Sequence, residues 1–333
     1  MKAVRIHETG SPDVMRVEDL DVPRPGTGQV LIRVAVAGIN FTDIMARQGV
    51  YVVREAAPPM PTVLGTEVAG IVVGTGPGVP DAMTGKRVVS FVDGGYAEYA
   101  VAPAGMVTEL PPEVDLGEAV SYLVQGVTAW QLLKDCGHLG DGQSVLVHSA
   151  AGGVGTLAVQ LARVFGAGTV LATAGSAAKR QLAVELGADA AFDYTTPDWA
   201  DEVLKATSGR GVDVILDAVG GEVGEQSLRC LAPFGRLVVY GVSGKSLAAF
   251  AGSQLMHKNQ SVVGYWLTSR LGPRAADDEA SARAGQVVES LLGLAGKGQL
   301  RGIVRHAFSL EDAATAHRAI ADRRTVGKVI LTV

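Results

Sequence analysis

Between residues 145 and 267, short apolar runs alternate with stretches that have helical periodicity. Each run is rich in Val, Leu, Ile or Ala, as strands buried on both faces are. Strands alternating with helices are typical of an α/β fold with a doubly wound parallel sheet, here of about six strands. The strand-like runs are Val145–His148, Val170–Ala172, Ala190–Phe192, Val212–Leu216, Leu237–Tyr240 and Ser261–Leu267.

The flanking segments have a different character. The first third of the chain contains short apolar runs separated by Gly and Pro, which predicts a β-rich region. The last six residues, Lys328–Val333, form one more strand-like run. A length of 333 residues allows about two domains. We therefore predict a β-rich domain built from residues 1–123 and 269–333, with a Rossmann domain at residues 124–268 inserted into it.

The first strand of the α/β region leads into a glycine-rich loop and then a helix-like stretch. This is the position of the phosphate-binding loop in dinucleotide-binding folds, where free N–H groups and the helix dipole favour a pyrophosphate. Ala150 replaces the first glycine of the G-x-G-x-x-G pattern, Gly152 allows close approach of the backbone, and Gly155 lets the helix pack on the strand. The predicted contacts are Ala151, Gly152, Gly153, Val154 and Gly155.

The second strand of this region indicates which dinucleotide binds. NAD-preferring folds place an Asp or Glu about 20 residues after the loop, but residues 172–180 contain no carboxylate. Ser176 can donate a hydrogen bond, and Lys179 supplies positive charge for a 2′-phosphate. Arg180 is either a second phosphate contact or a solvated helix residue. We predict NADPH as the cofactor.

Candidate metal ligands do not occur at zinc-site spacing. Gly38 and Asn40 stand where a thiolate ligand of an alcohol dehydrogenase zinc would be expected, and Thr66 stands where a histidine would be. We therefore predict no metal site. Glu67 is left for an ion pair or backbone hydrogen bonds, and His148 is predicted to be a hydrogen-bonded core residue.

Composition excludes several classes of partner. The net charge is −5 and there is no dense Lys/Arg tract, so nucleic acid is not expected as a partner. The N-terminal residues show no signal-peptide pattern, and no apolar run approaches the roughly 20 residues that span a bilayer. Two cysteines, far apart, make no disulfide framework. We expect a cytoplasmic protein that does not associate with membranes.

Motifs spread along the whole chain resemble the zinc-independent quinone oxidoreductase and zeta-crystallin branch of the medium-chain dehydrogenase/reductase superfamily. The matching segments are Ala37–Asp43, Arg47–Tyr51, Gly65–Glu67, Gln125–Ala129, Ala150–Gly155 and Gly327–Lys328. The resemblance implies a GroES-like catalytic domain, a Rossmann domain and an active-site cleft between them. It also implies a homodimer formed through the edge strand Ser261–Leu267.

The resemblance also implies roles for individual residues. Asn40 and Tyr51 would line the nicotinamide and substrate pocket as the catalytic residues, with Asn40 and Lys328 also counted among the cofactor-binding residues. The other implied cofactor contacts are Thr128, then Lys179 and Tyr194 at the 2′-phosphate, Tyr240, Gly241 and Ser243 beside the nicotinamide, and Tyr265 and Trp266 near its carboxamide. Structural alternatives stay open: a helix cap for Asn40, rim packing for Tyr51 and dimer packing for Tyr265 and Trp266. Asp43 is predicted to be a local cap.

Without a metal, catalysis would depend on positioning a reduced nicotinamide near a conjugated acceptor. Asn40 or Tyr51 would donate to the oxygen that gains charge, and a quinone or enone spreads that charge by resonance. We therefore predict hydride transfer from NADPH to a quinone or another α,β-unsaturated carbonyl. The alternatives are an enoyl-thioester reductase, which Phe41 disfavours because many such enzymes have a tyrosine there, and a non-catalytic NADPH-binding protein.

Overall fold

The computed structural model describes residues 1–50, 59–244, 246–267 and 278–333, the last range with side chains from residue 282 onwards. The strands are β1 (Lys2–Ile6), β2 (Met15–Asp19), β3 (Gln29–Ile39), β4 (Thr62–Val63), β5 (Glu67–Thr75), β6 (Arg87–Phe91), β7 (Tyr99–Pro103), β8 (Val107–Glu109), β9 (Ser144–Val147), β10 (Thr169–Thr173), β11 (Ala190–Phe192), β12 (Val212–Asp217), β13 (Leu231–Val239), β14 (Ser261–Gly264), β15 (Val304–Ser309) and β16 (Lys328–Thr332). The α-helices are α1 (Phe41–Gln48), α2 (Leu116–Ser121), α3 (Val127–Gln131), α4 (Gly153–Val164), α5 (Ala177–Glu185), α6 (Trp199–Ala206), α7 (Gly221–Ser227), α8 (Gly252–Lys258), α9 (Asp278–Gly296) and α10 (Ala313–Ala321).

The chain divides into two compact units. The first contains Met1–Gln125 and Ala275–Val333, and the second contains Gly126–Arg274. The predicted division at residues 123/124 and 268/269 lies a few residues from these boundaries.

The first unit is built on a largely antiparallel sheet. Strand order is β15-β16-β3-β5-β6-β8, β7 also pairs with β3, and a smaller sheet has the order β2-β1-β4. Strand β3 is 11 residues long, and its buried residues Val30, Ile32 and Val34 alternate in sequence, as a strand with one face on the core requires. The predicted β-rich region is confirmed as the GroES-like part of the fold.

The second unit contains the predicted doubly wound sheet. Six parallel strands lie in the order β11-β10-β9-β12-β13-β14. Counted from β9, this is the order 3-2-1-4-5-6 of dinucleotide-binding folds. The central strand β9 is buried along its whole length, which explains its unbroken Ser-Val-Leu-Val pattern. The chain crosses from one side of the sheet to the other between β9 and β12, where such folds bind ligands.

Two strand predictions needed correction. The run Leu237–Tyr240 covers the end of a longer strand, β13, which begins at Leu231 and ends at Val239, one residue before Tyr240. The run Ser261–Leu267 is a strand only to Gly264, because the chain leaves the sheet after Tyr265 donates its N–H to the Val239 carbonyl. No helix in the part of the chain that the structure describes is long and apolar enough to cross a membrane.

Candidate functional site

The glycine-rich loop joins β9 to α4 in the second unit. Ser149 has a positive φ of 52°, and Gly152 is the N-cap of α4. The first intrahelical bond runs from the Thr156 N–H to the Gly152 carbonyl at 2.9 Å. The N–H groups of residues 153–155 come before this bond and so have no acceptor within the helix. A Cβ on Gly155 would lie 2.4 Å from the Ser149 carbonyl oxygen, so only glycine fits there. This geometry fits a pyrophosphate at the helix N-terminus.

The residues predicted to bind the 2′-phosphate follow β10 and β11. Ser176 is the N-cap of α5 and accepts the Lys179 N–H at 3.4 Å. A Cβ on Gly175 would lie 3.5 Å from the Tyr194 hydroxyl oxygen, which places Tyr194 beside the start of this helix. Parallel strands end at the same edge of a sheet, so this group shares an edge with the glycine-rich loop.

Arg180 has a different role from its neighbour. It donates to Asp193 Oδ2 at 2.7 Å and to the Ala174 carbonyl at 3.2 Å. These bonds tie α5 to the segments after β10 and β11. Arg180 therefore forms a structural ion pair, and Lys179 is the basic residue that we assign to the 2′-phosphate.

Tyr240, Gly241 and Ser243, predicted to lie beside the nicotinamide, form a loop that follows β13. The Ser243 and Gly244 N–H groups donate to the Ala218 and Val219 carbonyls at 2.9 and 2.8 Å. Asp217 stabilises the turn that follows β12 and contains Ala218 and Val219. Its Oδ1 accepts the N–H groups of Val219 and Gly220 at 2.7 and 3.1 Å. The turn and the loop are therefore joined at the carboxyl edge of the sheet.

His148 directly follows β9, is fully buried and forms two side-chain hydrogen bonds. Its Nδ1 lies 2.7 Å from Thr173 Oγ1, and its Nε2 lies 2.9 Å from Ser227 Oγ. Burial lowers the pKa of His148, and the Asp217 charge acts in the opposite direction. The prediction of a hydrogen-bonded core histidine is confirmed.

Three strand ends bring Asn40, Glu67 and Lys328 together in the first unit. Asn40 follows β3, Glu67 begins β5 and Lys328 begins β16, and the pairing of Val329 with Ile39 places Lys328 beside Asn40. The Lys328 ammonium group pairs with Glu67 Oε1 and donates to Asn40 Oδ1 at 2.9 Å. Asn40 Nδ2 donates to Glu67 Oε1 at 2.7 Å, and the Val124 N–H donates to Glu67 Oε2 at 2.8 Å.

This cluster is almost completely buried. Asn40 is 4% exposed, Glu67 0% and Lys328 1%. Burying a charge is costly unless it is paired and hydrogen-bonded, and both charges here meet that condition. Glu67 thus serves in the ion pair that the sequence predicted. The Lys328 ammonium group donates to Glu67, Asn40 and the Ile39 carbonyl, and the contact of Lys328 with the cofactor stays a prediction.

The zinc ligands of alcohol dehydrogenases do not fit these residues. A Cβ on Gly38 would lie 2.3 Å from Glu67 Oε1, so a cysteine there would require the carboxylate to move. The neighbouring candidates, Asn40 and Thr66, offer an amide and a hydroxyl where zinc prefers thiolate and imidazole. Glu67 already pairs with the Lys328 cation. Among the described residues, no group of three or more His, Cys, Asp or Glu is arranged to hold a metal ion.

The other predicted site residues are not members of the clusters around the glycine-rich loop or around Glu67. Thr128 is buried in α3, and Trp266 is half-buried after β14. Tyr265 is 7% exposed, and its hydroxyl group donates a hydrogen bond to Gln131 Oε1 at 2.8 Å. Tyr51 lies outside the described residues.

Several residues of these clusters were not predicted from the sequence. Asp217 carried a signal, because it is a carboxylate directly after an apolar strand and before Gly220 and Gly221. Arg47 also carried a signal, because its spacing from the predicted residues Asn40 and Asp43 fits one face of a helix. Tyr96 and His317, which contact this face, carried no local signal.

Two family profiles match the chain. The profile described as the alcohol dehydrogenase GroES-like domain matches residues 26–112, and the one described as zinc-binding dehydrogenase matches residues 153–282. They correspond to the β-rich unit and to the Rossmann sheet.

Among curated relatives, a 2-haloacrylate reductase of Burkholderia sp is 33% identical over 99% of this chain and 98% of the relative. A quinone oxidoreductase of Pseudomonas aeruginosa is 32% identical over 99% of both chains. A component of the phenolphthiocerol/phthiocerol polyketide synthase of Mycobacterium tuberculosis is 35% identical over 99% of this chain, which spans 15% of that much longer protein.

A solved quinone oxidoreductase of Escherichia coli, in complex with NADPH, has a TM-score of 0.90 at 29% identity, with 100% of both chains covered. A GroES-like unit joined to a Rossmann sheet with a glycine-rich phosphate loop defines an oxidoreductase of the dehydrogenase class. The chain belongs to the quinone oxidoreductase branch of the medium-chain dehydrogenase/reductase superfamily.

Proposed function

We propose that this enzyme transfers hydride from NADPH to a quinone or another α,β-unsaturated carbonyl without zinc. Two full-length relatives, named a quinone oxidoreductase and a 2-haloacrylate reductase, act by their names on conjugated acceptors. The strongest support from this chain is the buried cluster of Asn40, Glu67 and Lys328, in which an ammonium cation pairs with the carboxylate. An acceptor that delocalises its own charge suits such a site.

The second unit carries the residues that would hold NADPH. The N–H groups at the start of α4 would bind the pyrophosphate, and Lys179 would supply a cation at the 2′-phosphate. Arg180 is not assigned to the phosphate because it pairs with Asp193. When bound, NADPH supplies a hydride equivalent from its reduced nicotinamide ring.

Asn40 is the proposed hydrogen-bond donor to the acceptor oxygen. A side-chain amide has two N–H donors, and Glu67 accepts one of them. The Lys328 ammonium group donates to the amide oxygen of Asn40, so the orientation of the amide is fixed before any ligand binds. A donor that is already oriented stabilises developing charge without reorganisation. Tyr51, outside the described residues, remains a second proposed donor.

NADPH oxidation at 340 nm with three acceptor classes tests the function. The panel is 1,4-benzoquinone, cyclohex-2-en-1-one and crotonyl-CoA, each assayed with and without a chelator. We expect turnover of the quinone or the enone, unaffected by 1,10-phenanthroline. Stoichiometric zinc in active protein would contradict the zinc-free mechanism, and NADPH binding without turnover of any acceptor would favour a non-catalytic binding protein.

The enoyl-thioester alternative has one specific observation in its favour, the 35% identity to a polyketide synthase component over nearly the whole chain. The residue after Asn40 is Phe41, which is 39% exposed at the start of α1 and has no proton to donate. Reduction of crotonyl-CoA in preference to both other acceptors would select this alternative.

Removing the Asn40 amide is the matching residue-level test. We expect Asn40→Ala to lower kcat about 100-fold, the usual effect of losing one such donor. The dissociation constant of NADPH, measured by calorimetry, should stay within about 2-fold, because the predicted phosphate contacts belong to the other unit. An unchanged kcat would remove Asn40 from the mechanism.

A further inference from the structure

Helix α1 and its N-cap residue present three polar side chains on one buried face. Asn40, Asp43 and Arg47 are spaced at i, i+3 and i+7, and their exposed fractions are 4%, 3% and 1%. The Asp43 Oδ2 atom accepts the Asn40 N–H at 2.8 Å, which confirms that Asp43 caps the helix. A cap needs no further buried partners, yet Asp43 has one more.

Tyr96 and His317 connect Asp43 to Arg47. The Tyr96 hydroxyl lies 3.0 Å from Asp43 Oδ2 and 3.1 Å from His317 Nε2, and Arg47 Nε lies 3.3 Å from His317 Nδ1. Both Tyr96 and His317 are fully buried. The four side chains therefore form one chain of hydrogen bonds inside the first unit.

The direction of this chain follows from Arg47, which has donors but no acceptor. His317 Nδ1 must therefore accept, so the neutral ring carries its proton on Nε2 and donates it to the Tyr96 oxygen. Tyr96 is then free to donate to Asp43 only. Burial, together with the Arg47 charge, lowers the pKa of His317 to about 3, as a neutral ring requires.

Asp43 is the acceptor at the end of the chain. Its burial raises its pKa to about 7, while the hydrogen bonds from Asn40 and Tyr96 act in the opposite direction. The charged groups that face it are Glu67, which raises the pKa, and Lys328, which lowers it. Arg47 and His317 act on Asp43 through Tyr96.

We infer that Asp43 is a positioning residue that holds the main chain of Asn40, and that Arg47, His317 and Tyr96 form a hydrogen-bond relay that favours the ionised form of Asp43. This relay deepens the proposed function, on which it rests, because it sets the pH range in which Asn40 is correctly placed. Both donors bond Asp43 Oδ2, and a neutral carboxyl oxygen accepts hydrogen bonds more weakly than a carboxylate oxygen, so the placement of Asn40 weakens as pH falls. Activity is thus retained above the pKa of Asp43 and lost below it.

Tyr96→Phe tests the relay, since it keeps the ring and removes the donor. We expect the acid limb of the kcat profile to move upward by about one pH unit, the usual worth of one hydrogen bond to a charge. The corresponding loss of kcat is about 5-fold at pH 7 and negligible at pH 9. The NADPH dissociation constant should not change.

His317 provides a second variant and a matched control. Leucine breaks the chain, so His317→Leu should shift the limb as Tyr96→Phe does. Glutamine can accept from Arg47 through its oxygen and donate to Tyr96 through its nitrogen, so His317→Gln should retain the wild-type profile. A loss of kcat that is equal at every pH, or an unmoved limb in both broken variants, would overturn the relay.

Infrared titration of the Asp43 carboxyl band gives a readout that does not depend on turnover. The band is identified by its absence in Asp43→Asn, and its midpoint should rise in Tyr96→Phe and His317→Leu but not in His317→Gln. If the wild-type enzyme reduced none of the acceptors, the proposed function would fail, and this titration would still decide the relay. Identical midpoints in all variants would refute it.

Discussion

At the scale of single residues, Lys328 combines a predicted cofactor contact with a buried ion pair. Its place beside Gly327 in a family motif predicted a cofactor contact. In the structure, its ammonium group is buried and pairs with Glu67. Removing one partner of such a pair leaves an uncompensated charge and costs about 3–5 kcal/mol. Any influence on the cofactor would be transmitted through Asn40, to which Lys328 also donates.

Lys179 is the residue on which the choice of NADPH depends most. It lies in the first turn of α5, and its neighbour Arg180 is engaged by Asp193. We expect Lys179→Ala to raise the KM for NADPH about 10- to 100-fold and to leave the KM for NADH unchanged, because only NADPH has the 2′-phosphate.

Steady-state kinetics with both cofactors checks this prediction. Lys205→Ala, in the last turn of α6 of the same unit, is the control for a general loss of positive charge. Equal effects on NADPH and NADH would show that Lys179 does not read the phosphate. A loss of NADPH affinity in Arg180→Ala but not in Lys179→Ala would assign the phosphate contact to Arg180 instead.

At the scale of elements, the turn after β12 organises the loop after β13. Asp217 is fully buried, and its Oδ1 accepts two backbone N–H groups. Its Oδ2 has no hydrogen-bond partner among the described residues. An unsatisfied buried carboxylate oxygen is costly, and the two hydrogen bonds that Oδ1 accepts offset part of that cost.

Asp217→Ala should release this turn. Two buried N–H groups would lose their acceptor, and we expect the free energy of unfolding to fall by about 2 kcal/mol or more. The affinity for NADPH should fall as well, since the loop containing Tyr240, Gly241 and Ser243 is bonded to this turn.

Asp217→Asn is the matched control, because its oxygen still accepts both N–H groups. Denaturant unfolding and NADPH titration of the two variants should therefore differ, with the asparagine variant closer to the wild type. If both variants bound NADPH as tightly as the wild type, the turn would have no part in holding the cofactor loop.

At the scale of the whole molecule, the outer edge of β14 is the open end of the Rossmann sheet. The structure pairs β14 with β13 on one side, and no described strand pairs with its other side. Tyr265 donates to β13, so by alternation along the strand the main-chain groups of Val262 point outward. Unpaired edges of this kind accept another strand, which is how the predicted homodimer would form.

Val262→Pro removes an outward N–H without removing a donor to β13. We expect the dimer to dissociate at least 10-fold more readily, as measured by sedimentation velocity over a range of concentrations. Val262→Thr keeps the N–H group and the β-branched shape and should remain dimeric. A monomeric wild-type protein at micromolar concentration would contradict the prediction of a homodimer.

Much of the α/β unit was predictable because its signals are local. The strand periodicity, the glycines after β9 and the residues after β10 each lie within a few turns of chain, where backbone preference and burial act directly. The bounds of β13 and β14 were harder to predict from the sequence, because hydrogen bonding to neighbouring strands decides where a strand begins and stops.

The sequence by itself therefore determined the doubly wound sheet, the phosphate loop and the absence of a carboxylate after β10. Only the tertiary structure decided the partners of Glu67 and Asp43. Glu67 meets Lys328 across 261 residues, and Tyr96 meets His317 across 221. Pairs so far apart depend on which strands and helices become neighbours, and no local pattern records that. Sheet order and register bring such groups together, and burial then requires that each charge and donor find a partner.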